Sequence, residues 1–175
     1  MYEITPERPD DRAEIDALHD LTFGPGRHAR PSYALRRDQA PDPHLCLVAR
    51  APEPLIGERI VGSVRYWPVR IGRHAALLLG PLAVAPDRQG AGIGAALIWA
   101  TLDMAAWARH RRVVLVGDPA YYRRFGFRPA APLGIVVPGA APELVQALAL
   151  DRHGLNDVRG TVASRRSLRR GVNAA

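Results

Sequence analysis

Glycines occupy alternate positions in the middle of the chain, where Gly90, Gly92 and Gly94 lie within the segment RQGAGIG. An apolar segment that includes Val84 precedes them, and a segment rich in alanine and leucine follows. The first amides of a helix have no partner within the helix and carry the positive end of its dipole, so anions bind there. Glycine lets an anion approach these amides and permits unusual backbone angles. The pattern predicts either a pyrophosphate-binding helix start or a place of close packing.

Two well-known phosphate loops do not fit this segment. A P-loop ends in Gly-Lys-Ser/Thr, and the sequence contains no lysine. A dinucleotide-binding fingerprint requires Gly-x-Gly-x-x-Gly, whereas Ala95, Ala96 and Leu97 follow Gly94. That fingerprint also belongs to an early strand, and this segment lies in mid-chain. We therefore expect neither a P-loop enzyme nor a Rossmann domain.

The single cysteine, Cys46, lies in the apolar segment HLCLVAR. It has no second cysteine for an internal disulfide, and no metal-ligand spacing surrounds it. We expect a buried, unreactive thiol and no metal site.

Length and composition indicate one globular domain. The chain has 175 residues, of which 47% are apolar and 23% are charged. We predict that this domain covers residues 1–162 and that residues 163–175 form a basic tail. The N-terminus is polar, without a signal-peptide pattern, and the apolar run from Ala75 to Ala85 is too short to span a bilayer. A cytoplasmic protein that does not bind membranes is expected.

The positive charge is unevenly distributed. The net charge is +7, every basic residue other than histidine is arginine, and the segment from Arg152 onward has six arginines against one aspartate. This tail contains no interleaved aromatic residues on which bases could stack. We favour a solvated basic end over a nucleic-acid-binding arm, which is kept as a rival function.

Hydrophobic spacing predicts helices and strands in a mixed order. Ile15, Leu18 and Leu21 indicate an early helix, and a short helix is expected from Pro119 to a stop at Gly126. A longer helix is predicted from Gly92 to Ala108, with an apolar stripe of Ile93, Leu97, Ala100, Met104 and Trp107. Predicted strands lie in YEIT, HLCLVAR, RIVGSVRYWPV, HAALLLGPLAVAP, RVVLVGD, GIVV, ELVQALAL and VRGTVASR.

This element order indicates an α/β (α+β) fold, a mixed sheet covered by helices. The segment HAALLLGPLAVAP is apolar almost throughout, so we expect burial on both faces. Because proline lacks an amide hydrogen, a bulge or splay is expected at Gly80-Pro81.

Two motifs, in the right order, resemble the GNAT superfamily of N-acetyltransferases. The pattern Gln89-x-x-Gly92-x-Gly94 is similar to the acetyl-CoA loop of that superfamily, and Tyr122-x-x-x-Gly126-Phe127 is similar to its late Tyr-x-x-x-Gly-Phe element. One predicted helix and one predicted strand separate them, and the resemblance covers nearly the whole chain. Within the superfamily, the sequence most resembles a bacterial branch of predicted acetyltransferases. It implies the GNAT fold, whose central sheet is splayed in the middle.

The resemblance implies acetyl-CoA as co-substrate and assigns residues to it. The pantetheine arm would lie in the splay beside Leu82, Ala83 and Val84, whose backbone would polarise the thioester carbonyl. The pyrophosphate would be held by backbone amides of Gln89, Gly90, Ala91, Gly92, Ile93 and Gly94. A primary amine, carried by a small molecule or a peptide, would attack the thioester directly in a ternary complex.

Tyr122 is the residue that the family spacing selects as general acid for the thiolate. Tyr121 would point about 100° away on a helix and is expected to serve in packing or in lining the substrate site. Many members of the superfamily use a glutamate on the central strand as general base, but the segment HAALLLGPLAV contains no acidic residue. Asp118, His28 and His74 stay open as bases, with helix capping the favoured role of Asp118.

The resemblance also places a substrate-contacting loop at Arg27, His28, Arg30 and Tyr33, although a solvated arginine-rich loop explains these residues equally well. It allows a homodimer through the late strands. A catalytically silent acyl-CoA sensor of the same fold is the alternative function.

Overall fold

A computed structural model gives the fold and describes residues 1–55 and 57–165. These residues form a mixed sheet in the order β1-β2-β3-β4-β5-β8-β6, with β9 paired to β3 and β7 paired to β9. The strands are β1 (Glu3–Pro6), β2 (Leu47–Glu53), β3 (Gly57–Ile71), β4 (His74–Val84), β5 (Arg112–Val116), β6 (Arg128–Pro129), β7 (Ile135–Val136), β8 (Val145–Ala149) and β9 (Gly160–Ser164). The helices are α1 (Arg12–Phe23), α2 (Pro31–Ala34), α3 (Ile93–Trp107) and α4 (Pro119–Tyr122). The predicted mixed α/β (α+β) sheet is confirmed.

Strand β4 lies inside the sheet, as its continuous apolarity predicts. Its side chains alternate between two apolar clusters: Leu77 and Leu79 pack in one, and Leu78 packs in the other. From Ala76 to Pro81 the strand is buried on both faces, which leaves no place there for a charged side chain.

The sheet parts between β4 and β5. The parallel pairing joins only Leu77 to Val113 and Leu78 to Val114, although β4 continues to Val84. On its other edge β4 stays paired with β3, with a register shift opposite Gly80-Pro81. The indole Nε1 of Trp67 donates to the displaced Gly80 carbonyl at 2.7 Å. The predicted splay and bulge are both confirmed.

Helix α3 is confirmed, but its predicted buried stripe is partly wrong. Met104 is 38% exposed and Trp107 is 87% exposed, whereas the polar Thr101 is fully buried. The Thr101 hydroxyl lies 3.0 Å from the Tyr66 hydroxyl and donates to the Leu97 carbonyl at 2.7 Å. Because most residues of this helix are apolar, apolar side chains point in nearly every direction around its axis. The spacing of the apolar residues alone therefore does not show which face is buried.

The three late segments predicted as strands do form strands, β7, β8 and β9. Strand β6 was not predicted from the sequence. The predicted domain boundary at residue 162 falls within β9, and residues 166–175 of the predicted tail lie outside the described residues. The division into domain and tail therefore stays a prediction. Among the described residues, no helix is both long and apolar enough to cross a membrane.

Cys46 is buried at 4% exposure, as expected. Burial raises the pKa of the thiol to about 12, so it stays protonated and weakly nucleophilic at neutral pH.

The packing of α3 on the sheet predicts a strong sensitivity at Gly62. A Cβ there would lie 2.7 Å from Cγ2 of Ile93 and 3.1 Å from Cδ1 of Leu97. We expect Gly62→Ala to lower the free energy of unfolding by about 1–3 kcal/mol through overpacking, measured by urea denaturation. Gly26→Ala is the control, because a Cβ at that position meets nothing within 4 Å. Equal stability of the two variants would contradict the close approach of α3 to β3.

Candidate active site

The glycine-rich segment forms the start of α3. Gly90 has φ 80° and Gly92 has φ 78°, and a Cβ on either would meet nothing within 4 Å. Gly92 is the N-cap of α3, and no side chain caps it. The first helical bond runs from the Ala96 amide to the Gly92 carbonyl at 3.0 Å. The amides of the first turn have no partner within the helix and no N-cap side chain, so they are available to bind an anion.

Gly94 serves a different physical purpose from the other two glycines. A Cβ there would lie 2.9 Å from the Tyr121 hydroxyl and 3.4 Å from Cγ2 of Val84. The positive φ explains Gly90 and Gly92, and close packing explains Gly94. The two interpretations of the motif thus apply to different residues of it.

The open edge of β4 lies next to this helix start. The Ala85 amide donates to the Val61 carbonyl at 2.9 Å, and Ala83 lies opposite Ser63 in the same ladder. Since hydrogen-bonded and non-hydrogen-bonded pairs alternate in an antiparallel ladder, Leu82 and Val84 direct their backbone groups away from β3. The Gln89 side chain donates to the Val84 carbonyl at 3.3 Å, in agreement with that direction.

Helix α4 brings Tyr122 to the splay. Asp118 caps the helix by accepting from the Ala120 amide at 2.9 Å, and Gly126 ends the following turn with φ 87°. Burial raises the pKa of Tyr122 well above that of an ordinary phenol. The hydroxyl therefore stays protonated and can act as a proton donor at neutral pH.

Two cavities share a wall at the splay. The splay cavity, about 90 Å³, contains Tyr122 and is lined by residues of both parted strands, among them Leu79, Leu82 and Val116. The arginine cavity, about 380 Å³, lies beside it and is lined by basic and aromatic side chains, among them His19, Arg27, His28, Arg37, Arg65 and Trp67. Tyr33, Arg36 and Pro81 line both cavities.

The four predicted substrate residues gather around these cavities. Arg27, His28 and Tyr33 line the arginine cavity, while Arg30 lines the splay cavity with its guanidinium 5.0 Å from the Phe23 ring. His28 packs edge-on against Tyr33 at 5.1 Å between ring centroids. Their role in binding an acceptor stays a prediction.

Arg27 is already held by other side chains of the chain. It is buried, pairs with Asp20 at 2.7 Å and Asp16 at 3.6 Å, and donates to the Tyr33 hydroxyl at 3.1 Å. These bonds fix the loop between α1 and α2 against the end of α1.

Sequence reasoning missed Arg36, Arg65 and His19, which line the arginine cavity. Arg36 lies in LRRDQ, only a few residues beyond the predicted substrate loop, so an extension of that loop would have included it. His19 and Arg65 lie in elements whose pattern predicts only a helix and a strand. No sequence signal distinguishes them from structural residues.

Two of the candidate bases do not belong to the site. His74 pairs with Ile71 at the start of β4, at the other end of the strand from Val84, and lines neither cavity. The Asp118 carboxylate is engaged as the cap of α4. His74 is therefore a wrong candidate, and helix capping is confirmed for Asp118.

A sheet that parts between two parallel strands, beside a glycine-rich helix start, defines an acyltransferase fold of the GNAT type. The family model described as "Acetyltransferase (GNAT) domain" matches residues 42–129. The uncharacterized N-acetyltransferase YhbS of Escherichia coli (strain K12) is 35% identical over 130 residues, which cover 73% of this chain and 74% of that protein. The chain therefore belongs to the GNAT family of acetyltransferases and is an acyltransferase.

Solved structures agree with this assignment. The crystal structure of YhbS from Escherichia coli in complex with CoA matches with a TM-score of 0.79 and 31% identity, over 96% of this chain and 92% of that chain. A GNAT family acetyltransferase from Brucella melitensis, in complex with acetyl-CoA, matches with a TM-score of 0.69 and 31% identity, over 96% and 98% of the two chains. The predicted GNAT fold is thereby confirmed.

The buried His19 makes stability depend on pH. Its Nε2 lies 2.9 Å from the Ser63 hydroxyl, and burial, together with Arg65 and Arg27, lowers its pKa from 6.5 to about 3. Between these values the unfolded chain binds more protons than the folded chain, so stability falls as the pH drops below about 6.5. The expected slope from this group is about 1.4 kcal/mol per pH unit.

The measurement is urea denaturation of the wild type and His19→Gln between about pH 4.5 and about pH 7.5. The carboxylates contribute equally to the pH dependence of the unfolding free energy in both proteins. The difference between the two stability–pH curves therefore reports on His19. We expect the wild type to lose more stability on acidification than the variant. Parallel curves would show that His19 is not a buried neutral imidazole.

Proposed function

We propose that this protein transfers the acetyl group of acetyl-CoA to a primary amine by direct attack in a ternary complex. The observation that carries the proposal is the open edge of β4, which runs from the splay cavity with Tyr122 to the start of α3. Support also comes from the relatives that bind CoA and acetyl-CoA in their crystal structures.

The start of α3 suits the pyrophosphate of acetyl-CoA. Gly90 and Gly92 leave space around the first-turn amides, which carry the positive end of the helix dipole. In this proposal the amides donate to the phosphate oxygens, and the Gln89 side chain holds the loop by its bond to Val84. The binding segment comprises Gln89, Gly90, Ala91, Gly92, Ile93 and Gly94.

The pantetheine arm would lie along the open edge of β4. Leu82 and Val84 direct amides and carbonyls toward the gap, and an arm with two amide groups can pair with them as a strand would. The backbone amide and carbonyl of Ala83 point toward β3, so this residue would lie beside the arm without forming a hydrogen bond to it. An amide of this segment would also stabilise the oxyanion that develops on the thioester carbonyl.

The reaction then needs an attacking amine and a proton for sulfur. The nitrogen lone pair attacks the carbonyl carbon and forms the C–N bond; collapse of the tetrahedral intermediate breaks the C–S bond, and sulfur leaves with the electron pair. Tyr122 donates its phenolic proton to the sulfur. The nitrogen loses one proton to solvent, and solvent reprotonates the tyrosinate, so the products are an acetamide and the free thiol of CoA.

Turnover with amines separates this proposal from a silent acyl-CoA sensor. Acetyl-CoA is kept at a saturating concentration and a library of amines is supplied one at a time. The rate of thiol release is compared with the rate without amine, which reports acetyl-CoA hydrolysis alone. Amine-dependent release supports the enzyme. Tight binding of acetyl-CoA by calorimetry, with no amine accelerating thiol release, would instead favour the sensor.

Removal of the Tyr122 hydroxyl tests the acid role. We expect Tyr122→Phe to lower kcat by about 10²-fold, because the thiolate then leaves without a proton donor. Affinity for acetyl-CoA, measured by calorimetry, should stay nearly unchanged. Tyr121→Phe is the matched control and should retain turnover; full activity of Tyr122→Phe would remove the acid role.

The glycine conformation at the helix start predicts a selective loss of cofactor affinity. In Gly92→Ala the left-handed backbone costs about 1–2 kcal/mol, and relaxation of the loop would move the amides away from the phosphates. We expect affinity for acetyl-CoA to fall by up to about tenfold in calorimetry. Gly134→Ala is the control, since Gly134 has a similar φ of 70° but lies outside both cavities and the α3 start. If both variants bind acetyl-CoA with equal affinity, the pyrophosphate does not bind at Gly92.

A further inference from the structure

One buried arginine differs from the others in its partners. The described residues contain four buried arginines, Arg27, Arg36, Arg50 and Arg112. Arg27 and Arg50 each pair with an aspartate, and Arg112 donates to two backbone carbonyls. Among residues 1–55 and 57–165, no carboxylate forms an ion pair with Arg36.

The guanidinium of Arg36 is only partly satisfied. Its Nη2 donates to the Ser32 hydroxyl at 3.2 Å, and its Cζ lies 4.5 Å from the centroid of the Tyr33 ring. Its Nε and Nη1 are buried without a hydrogen-bond partner in the described chain, although the residue is only 9% exposed. Burial lowers the pKa of Arg36 to about 10, so the group is still charged at neutral pH. A buried charge with two unsatisfied nitrogens and no carboxylate partner among the described residues is costly, which indicates that a ligand completes it.

Arg36 lies where the two cavities meet. A Cβ on Gly80 would lie 3.1 Å from its Nη2, which places the guanidinium against the bulge of β4. Arg36 lines the splay cavity, where the thioester would lie, and also the larger arginine cavity. A molecule that spans the two cavities would contact this guanidinium.

The surroundings of the arginine cavity carry an excess of positive charge. The Arg65 guanidinium is held by both carboxylate oxygens of Glu7, at 2.6 and 2.7 Å, and Arg27 is held by its aspartates. Those carboxylates are therefore already engaged, whereas no carboxylate of the described residues pairs with Arg36. Such a site repels a cation and attracts an oxyanion.

We propose that the acceptor is a primary amine that also carries a carboxylate or phosphate group, and that Arg36 binds this anionic group while the amine reaches the thioester in the splay cavity. This inference rests on the proposed acetyl transfer. The positive surroundings would also favour the neutral form of the incoming amine, which is the nucleophilic form. That effect would help the amine to attack although no carboxylate of the described residues lines the splay cavity.

Matched amines test the acceptor class with the wild-type protein. One arm compares L-amino acids with their carboxamides, and the other compares O-phosphoethanolamine with ethanolamine; spermidine represents a cationic acceptor. We expect kcat/KM, measured by thiol release, to be at least about tenfold higher for the anionic member of one pair. The pair that shows the preference identifies the anion as carboxylate or phosphate.

Variants of Arg36 separate anion binding from stabilisation of the thioester oxyanion. Arg36→Met keeps the length of the side chain but removes the charge, and Arg36→Lys restores a charge. For the preferred anionic acceptor we expect Arg36→Met to raise KM about tenfold or more, with partial recovery in Arg36→Lys. For the neutral member of the same pair, the change in KM should be smaller than for the anionic member. Arg73→Met, which removes an exposed arginine near the start of β4, is the control for loss of charge.

Three outcomes overturn the inference. Spermidine or the neutral amines could be acetylated as fast as the anionic amines. That result would rule out the proposed acceptor class but would leave the proposed acetyl transfer standing. Arg36→Met could lower kcat for every amine alike, which would make Arg36 an oxyanion stabiliser. If no amine releases thiol while acetyl-CoA binds, the proposed function itself fails and this inference falls with it.

Discussion

The early end of the β4–β5 pairing is the constraint on which the rest of this structure depends. The two strands pair only at Leu77 and Leu78, yet β4 continues to Val84 because β3 still pairs with its other edge. A strand held on one edge keeps its shape while its free edge exposes amides and carbonyls. The bulge at Gly80-Pro81 marks the change, and Trp67 satisfies the carbonyl that the bulge displaces. Both cavities and the start of α3 lie along this free edge.

The site combines two electrostatic environments that both attract anions, by different means. At the start of α3, unpaired amides and a helix dipole attract anionic groups without any charged side chain. At the junction of the cavities, a buried guanidinium supplies a full charge that no described carboxylate compensates. The first environment suits a diphosphate, and the second suits a small oxyanion on the acceptor. Between them the phenol of Tyr122 stays protonated because it is buried.

Much of the fold and part of the candidate site could be predicted from sequence. The splay at Gly80-Pro81, the cap at Asp118 and the turn at Gly126 follow from local rules on proline, aspartate and glycine. The buried face of α3 was predicted less well, since an almost wholly apolar helix has no periodicity that selects Thr101 over Met104. Arg36 was missed because its significance is that no described carboxylate pairs with it, which depends on residues distant in the chain.

The sequence by itself determined the element order, the family and the backbone conformation at the start of α3, because these depend on residue types at short spacing. Only the tertiary structure decided which of the buried arginines have carboxylate partners among the described residues, and that Arg36 has neither a carboxylate nor a full set of hydrogen bonds. It also decided the separate reasons for Gly92 and Gly94, one conformational and one steric. The physical reason is that ion pairing and close packing join residues from different elements, and no local pattern of the chain encodes which of them will meet.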